Sequence, residues 1–516
     1  MRYPKGEQDF AGIRKEQKVY VDKTAVMYDL IDREKYVFLA RPRRFGKSLL
    51  LSTIRYYFEG EKDLFKGLAV YELEKDWKSY PVIHLELSGT QANDPDSLKK
   101  FLEGELSRYE KKNGIIPDSS DLSFRFSEIV RKIHENNGEK VVVLIDEYDN
   151  PLINTIHLPK IHEDNRNLLK SLYSNLKSLD EYIRFAMLTG VSRFSKTSIF
   201  SGLNNLTDIT FLDRYSSICG FTENEIREFL WEGVKELGEH MELSPEEALE
   251  ALKWEYDGYH FSKACNDIYN PFSMLHALDH KEISDYWLVS GAPGFLIEKL
   301  QQSPMSFFKL FNDKATEQGL TSLDTVFSSP VALLYQTGYL TIKGYDASTR
   351  KYSLGIPNRE VDRGLFPALL GGFVRLDQDY ASDLASEMGD CLKDGNPEEF
   401  IIRLRSFLGS VPYNIHPKVS EMFFEHTLYL LFRTIPIDVD AESTTSFGRR
   451  DIVVKTDKFI YIFELKLDST AEQAINQIKE KEYSLPYRFE EKRIFMIGLN
   501  FSSKTRNIQD WKTESL

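Results

Sequence analysis

Five short apolar runs between residues 35 and 220 constrain this chain more than any other feature. They are YVFLA (36–40), VIHLEL (82–87), KVVVLID (140–146), IRFAML (183–188) and YSSICG (215–220). A sheet with one wet face needs polar residues at every second position, and most of these runs lack them. Strands buried on both faces require helices on both sides, which predicts an α/β fold with a mostly parallel sheet. The stretch after the first run fits, because Leu50, Ile54, Tyr57 and Phe58 recur at helical spacing.

Length extends the picture. A chain of 516 residues exceeds a single core, so several domains are expected. Residues 1–220 form the sheet domain. Residues 221–290 read as a helical lid, with capping-box signatures at TENE (Thr222–Glu225) and SPEE (Ser244–Glu247), the second with proline at the first helical position. Residues 291–390 read as a connecting module in which 331–357 ends a helix and then forms two strands around YDASTR. A winged-helix-like module and a plain connecting domain with a hairpin both fit it. LKDGNPEE (392–399) is a polar break, and residues 391–516 read as two helices, a β-hairpin at 451–466 and a small α/β domain.

Hydrophobic residues make up 41% and charged residues 28%, as in ordinary globular domains. No apolar run is long enough to span a bilayer, so no membrane partner is expected, and MRYPKGEQDF has no apolar signal-peptide core. Cys219, Cys265 and Cys391 stand far apart, which argues against a disulfide framework or a cysteine zinc site and fits a reducing cytoplasm. The net charge of −14 argues against a protein that coats nucleic acid non-specifically, yet RPRRFGK (41–47) and GRR (448–450) are local basic patches.

The first patch ends the first strand. RPRRFGKSLL (41–50) closes like a phosphate-binding loop, although the pattern G-x-x-x-x-G-K-[ST] asks for glycine where Arg41 stands. In such a loop, here Arg44, Phe45, Gly46, Lys47, Ser48 and Leu49, backbone N–H groups and a helix N-terminus face the phosphates. Lys47 would reach the β- and γ-phosphates and the Ser48 hydroxyl would hold Mg²⁺. An arginine forced into the left-handed region would cost roughly 1–2 kcal/mol, unless the turn differs. VVVLIDEYDNP (141–151) adds a strand ending in two carboxylates: Asp146 for the hydration shell of Mg²⁺, Glu147 to polarise a water. The run at 82–87 falls between the two motif strands in sequence, as in additional-strand ATPases. MLTGVSRFSK (187–196) then offers Thr189 as a γ-phosphate sensor and Arg193 as a cation for transferred charge. An arginine acting towards a neighbouring subunit would imply a homo-oligomer; an N-cap and a surface arginine are the plainer readings.

These stretches together with LIDEYDNPL, LTGVSRFSKTSIFSGLNNL and YDGYHFS…IYNPFSML (256–275) closely resemble the AAA-ATPase-like family across roughly residues 1–290. The resemblance implies that the arginine-rich loop is a family trait and that ATP and Mg²⁺ are the cofactors.

A second constellation lies in GRRDIVVKTDKFIYIFELKL (448–467). With Asp457-Lys458 as a two-residue hairpin loop, Thr456 faces Phe459 and Asp451 faces Glu464. Directly opposed side chains have Cβ atoms about 4.5–5.5 Å apart, and two carboxylates so placed repel unless a cation joins them. A divalent metal would resolve this, with Lys466 on the same face to orient water or steady a phosphate. A plain ion pair of Glu464 with Lys466 is the structural alternative. Residues 405–485 resemble a PD-(D/E)XK nuclease-superfamily domain, with an upstream helix, SEMFFEHTLYLLF (420–432), and AINQIKEKEY (474–483). That resemblance implies a helix carboxylate from Glu421 or Glu425, and Gln477 and Lys481 facing the site. The family often has Tyr-His or Tyr-Gln where this chain has Glu425-His426.

The expectation is an ATP-dependent, Mg²⁺-dependent hydrolase acting on DNA or RNA. The alternative is a nucleotide-switched signalling or scaffold protein whose nuclease fold does not cut.

Overall fold

The computed structural model describes residues 1–516 apart from 91–93, 95, 194–199, 201–202, 204, 288–299, 301–306, 313, 322–329, 376, 412–420, 436–437, 442–443, 446–447 and 450–451. The chain forms two compact units, Met1–Trp287 with Asp313–Glu360, and Leu288–Asn312 with Val361–Leu516. The stretch expected as one connecting module, 291–390, thus divides between them.

In the first unit, β1 (Tyr36–Ala40), β2 (Val82–Glu86), β3 (Val141–Asp146), β4 (Ile183–Gly190) and β5 (Thr207–Asp208) make one sheet in the order β2-β3-β4-β1-β5. All of its pairings are parallel. Every residue of β1 and β3 is buried, as their unbroken apolar sequence requires. β2 alternates in burial, which suits its place at the sheet edge. The strand inserted in sequence therefore lies outermost, and β4 is the strand that separates the two motif strands.

α1 (Lys47–Phe58), α2 (Ser97–Asn113), α3 (Leu122–Asn137) and α4 (Pro159–Ser178) connect the strands. Asp121 caps α3 by accepting from Phe124 N–H, and Gly138 in the left-handed region ends it.

The last apolar run is a correction. YSSICG is not a strand: Asp213–Tyr215 is a short 3-10 turn, further turns follow, and Thr207–Asp208 supplies the fifth strand. Tyr215, Ile218 and Cys219 are buried, but their spacing is that of a turn. A short continuous apolar run does not distinguish the two by itself.

α5 (Trp231–His240), α6 (Pro245–Tyr256) and α7 (Pro271–His280) make the stretch after the sheet helical. Both capping boxes are present: the Thr222 and Ser244 hydroxyls accept from Glu225 N–H and Glu247 N–H, and the carboxylates of Glu225 and Glu247 accept from Thr222 N–H and Ser244 N–H. The core of these helices joins Val234, Leu237, Leu249, Leu252, Met274 and Leu278. β6 (Lys314–Ala315), β7 (Thr341–Asp346) and β8 (Lys351–Gly355) make a three-stranded antiparallel sheet in the order β6-β8-β7, with β7 and β8 the expected pair around YDASTR.

In the second unit, β9 (Asp438–Ala441), β12 (Ile452–Lys455), β13 (Phe459–Leu467), β14 (Arg493–Ser502) and β15 (Asn507–Ser515) form a mixed sheet in the order β15-β14-β13-β12-β9, while β10 (Thr444–Thr445) and β11 (Gly448–Arg449) pair separately. α8 (Pro397–Ser410), α9 (Glu421–Thr434) and α10 (Ala471–Glu480) belong to this unit. α10 lies on β14 where Gly498 leaves room, since a Cβ there would fall 2.5 Å from Ala471 O. Among the described residues no helix is long and apolar enough to cross a membrane.

Gly190 at the end of β4 carries a comparable constraint inside the first unit. A Cβ there would lie 2.3 Å from Asp149 Oδ1 and 2.7 Å from the Tyr148 ring. Gly190→Ala is expected to destabilise the first unit by about 1–3 kcal/mol, the usual result of overpacking. Chemical denaturation followed by tryptophan fluorescence measures this; an unchanged midpoint would contradict the packing described.

Candidate active sites

The phosphate loop takes its shape from two left-handed residues, Arg44 (φ 69°) and Gly46 (φ 93°), and Gly46 is the N-cap of α1. Such alternation gathers successive backbone N–H groups into an anion-binding concavity at a helix N-terminus. Arg41 is not left-handed, so the turn differs from one that needs glycine there. Its guanidinium is buried and serves as internal scaffolding. Nη1 donates to Ala40 O and Thr210 O (both 2.9 Å) and Nη2 to Tyr215 O (3.2 Å). The ring of Phe261 lies 4.2 Å from the guanidinium carbon. Desolvation pushes the Arg41 pKa down.

Phe45 is buried edge-on against Tyr259 and Phe261, with centroids 4.8 and 5.3 Å away. Arg44 Nη1 donates to Tyr286 O and Trp287 O at 3.1 Å, and its guanidinium lies over Phe272 at 4.1 Å. The stretch 256–275 is therefore the buttress of the loop, a role that sequence alone did not reveal.

Lys47 is only 5% exposed, and its Nζ donates to Arg41 O and Pro42 O, both at 3.0 Å. Burial lowers its pKa, opposed by the charges of Asp146, Glu147 and Asp149. Asp146 is buried, and its Oδ1 accepts from Thr189 Oγ1 at 2.5 Å and from Glu147 N–H at 2.9 Å. Glu147 has a left-handed backbone (φ 49°) that turns it out of the strand direction, and burial raises its pKa against the lowering effect of Lys47. Asp149, which sequence reasoning passed over, is buried; its carboxylate accepts from Val191 N–H, Ser192 N–H and the Ser192 hydroxyl. The repeated acid in DEYD was the available signal.

A cavity of about 390 Å³ opens on this loop. Lys47, Ser48, Leu49 and Glu147 line its polar side; Tyr20, Phe221 and Phe272 are among its apolar walls. The N-terminal stretch and residues 218–221 also reach it, and neither was identified from sequence. Thr189 is fully buried and does not line the cavity: it holds Asp146. Arg193 does not line it either. Its guanidinium is ion-paired with Asp208 and with Glu317 (3.4 Å). The Ser48 hydroxyl and Asp146 carboxylate are hard oxygen donors that suit Mg²⁺.

In the second unit the hairpin register is the expected one: Ile452 faces Phe463, Val453 faces Ile462 and Lys455 faces Ile460. Asp451 and Arg450 lie outside the described residues, as do the side chains of Glu421 and Arg449. Glu464 is 1% exposed, and Lys466 Nζ reaches its Oε1 at 3.0 Å, so these two are brought together. Glu425 is half-buried on α9, and the buried His426 stacks on Phe307 at 4.2 Å. Gln477 is half-buried on α10 and Lys481 is exposed at its end. Among the described residues no group of three metal-ligating side chains occurs. A buried glutamate beside lysine on one strand face supplies oxygen donors for a hard divalent ion and a cation for a phosphate.

Residues 4–200 match the family described as predicted AAA-ATPase, AAA-ATPase-like, and residues 419–511 match the PD-(D/E)XK nuclease superfamily. An uncharacterized protein in the vnfD 5′ region of Azotobacter chroococcum mcd 1 is 35% identical over 527 aligned positions, covering 100% of this chain and 99% of that protein.

Arg41→Gly restores the glycine of the general loop pattern, yet it removes a buried guanidinium from three carbonyls. It is expected to cost about 2–4 kcal/mol of stability from unpaired carbonyls and lost packing. Urea titration checks this, and a variant as stable as the parent would contradict the scaffolding role of Arg41.

Proposed function

The chain belongs to the AAA-ATPase-like proteins that carry a C-terminal PD-(D/E)XK nuclease superfamily domain, and from that premise we propose that it binds and hydrolyses ATP and cuts nucleic acid with a divalent metal. The observation that carries this reading is the meeting of Lys47, Ser48 and Glu147 on one cavity at the N-terminus of α1.

Each residue has a distinct part. The N–H groups of residues 44–49 take the β-phosphate and Lys47 supplies a fixed cation to the β- and γ-phosphates. Ser48 and Asp146 would hold Mg²⁺, which would supply positive charge to the phosphates. Thr189 keeps Asp146 oriented. Glu147 orients the attacking water and accepts its proton. Burial holds the Glu147 carboxyl above the ordinary glutamate range, so the acid limb of the rate profile is displaced towards neutral pH.

In the second unit, Glu464 and Asp451 would hold the metal, with Lys466 to orient water or steady the scissile phosphate. Support comes from the pair of Glu464 with Lys466 on one strand face and from the pairing of Ile452–Lys455 with Ile460–Phe463. The substrate class is DNA or RNA, and the setting is the cytoplasm. The ion pair of Lys466 with Glu464 favours a second reading, a nucleotide-switched scaffold whose nuclease fold binds without cutting. The two readings share the ATP site and differ in cleavage.

Lys47→Ala is expected to weaken Mg·ATP binding more than tenfold, a change of about 1.4 kcal/mol or more, measured by calorimetry. Glu147→Gln should keep binding and lose turnover. Equal binding by parent and Lys47→Ala would overturn the nucleotide assignment.

For cleavage, plasmid, single-stranded DNA and RNA are incubated with Mg²⁺ or Mn²⁺, with and without ATP. Glu464→Gln is expected to abolish cutting and metal binding, and Lys466→Ala to reduce cutting while metal binding persists. Cutting by neither parent nor variants, with ATP bound normally, would select the scaffold reading.

A further inference from the structure

Hydrolysis of ATP places developing negative charge on the terminal phosphate, and P-loop enzymes commonly meet it with an arginine. The residue that sequence suggested for this, Arg193, is committed to Asp208 and Glu317 away from the cavity. The loop itself contains three arginines in the run Arg41-Pro42-Arg43-Arg44. Arg41 is buried on carbonyls, and Arg44 donates to Tyr286 O and Trp287 O. Arg43 is exposed and lines the same cavity as Lys47, Ser48 and Glu147.

The backbone beneath Arg43 is pinned. Trp287 Nε1–H donates to Arg43 O at 3.3 Å. Trp287 is itself held, because its backbone N–H donates to the Glu360 carboxylate at 2.7 Å, as does that of Tyr286 at 2.8 Å. Glu360 is fully buried and also accepts from the Ser273 hydroxyl. On the other side Pro42 packs against Gly338, where a Cβ would come within 2.8 Å of the proline Cβ. The carbonyl before Arg44 is thus fixed from the Trp287 side while the Arg43 side chain remains at the cavity. Its charge also acts on Glu147, where it opposes the effect of burial.

We propose that Arg43 is a catalytic residue, the arginine supplied in cis that neutralises the terminal phosphate during hydrolysis. This rests on the ATP reading of the loop. In the step, the water oxygen bonds to the γ-phosphorus as the bond from that phosphorus to the β–γ bridging oxygen breaks. The bridging electron pair stays with ADP, the water proton passes to Glu147 and then to solvent, and inorganic phosphate leaves. The guanidinium stabilises charge that grows along this path, so its removal affects turnover more than ground-state binding.

The test compares the full-length parent, Arg43→Ala and Arg43→Lys. Measured are Mg·ADP affinity, steady-state hydrolysis and retention of ADP with aluminium fluoride, which mimics the phosphoryl group in flight. Arg43→Ala is expected to bind Mg·ADP within threefold of the parent, to lose at least tenfold in turnover and to fail to retain the ADP–fluoroaluminate complex. Arg43→Lys, which keeps a charge but not the planar fork, should fall between the two. Turnover of Arg43→Ala within tenfold of the parent overturns the proposal while leaving the ATP reading intact. Loss of Mg·ADP binding in Arg43→Ala also overturns it, because the residue then shapes the loop. A parent that binds no Mg·ATP removes the ATP reading and this proposal together.

Discussion

The guanidinium of Arg41 is the interaction on which the loop 41–48 and the cavity beside it depend. Burying an arginine is costly unless hydrogen bonds compensate it. Here three carbonyls, from Ala40, Thr210 and Tyr215, accept from its two terminal nitrogens and the face of Phe261 covers the cation, while Nε is buried without a hydrogen-bond partner among the described residues. The same contacts join the end of β1 to the segment 210–215 and to the stretch 256–275. That last stretch supplies Tyr259 and Phe261 against Phe45, and Phe272 under Arg44. The loop is consequently shaped by side chains that lie far from it in sequence, and the left-handed residues are Arg44 and Gly46.

Three carboxylates at the end of β3 show how environment divides one kind of group. Asp146 is buried and held by Thr189; Asp149 is buried and held by Ser192 and the Val191 N–H. Burial raises the pKa of Asp149 and of Glu147, but only Glu147 lines the cavity. One acid thus faces the cavity, one is held by Thr189 and one joins β3 to the segment after β4. Lys47 carries the opposing charge, and its own burial would favour the neutral amine without those three carboxylates.

Much of this was legible in the sequence because it is local. Four of the five sheet strands, both capping boxes, the β7–β8 pair and the β12–β13 register follow from short-range periodicity and turn chemistry. What the sequence does not show is tertiary. YSSICG reads as a strand because a buried turn and a buried strand have the same apolar composition. Position after a strand suggests phosphate contacts for Thr189 and Arg193, but tertiary partners decide where they point: Asp208 and Glu317 hold the arginine, and Asp146 holds the threonine. Trp287 and Glu360 gave no sequence signal, since their contacts with the loop and with each other span dozens to hundreds of residues. The contact of Glu464 with Lys466 is legible from their i, i+2 spacing on one strand face.

An arginine-built loop that lacks the glycine of the general pattern is proposed as a working phosphate cradle. A crystal structure of the full chain with Mg²⁺ and a non-hydrolysable ATP analogue tests this. Expected are the β-phosphate against the N–H groups of residues 44–49, Arg41 unmoved, and Lys47 Nζ transferred from the carbonyls of Arg41 and Pro42 to the phosphate oxygens. A nucleotide bound elsewhere, with Lys47 still on those two carbonyls, would contradict it.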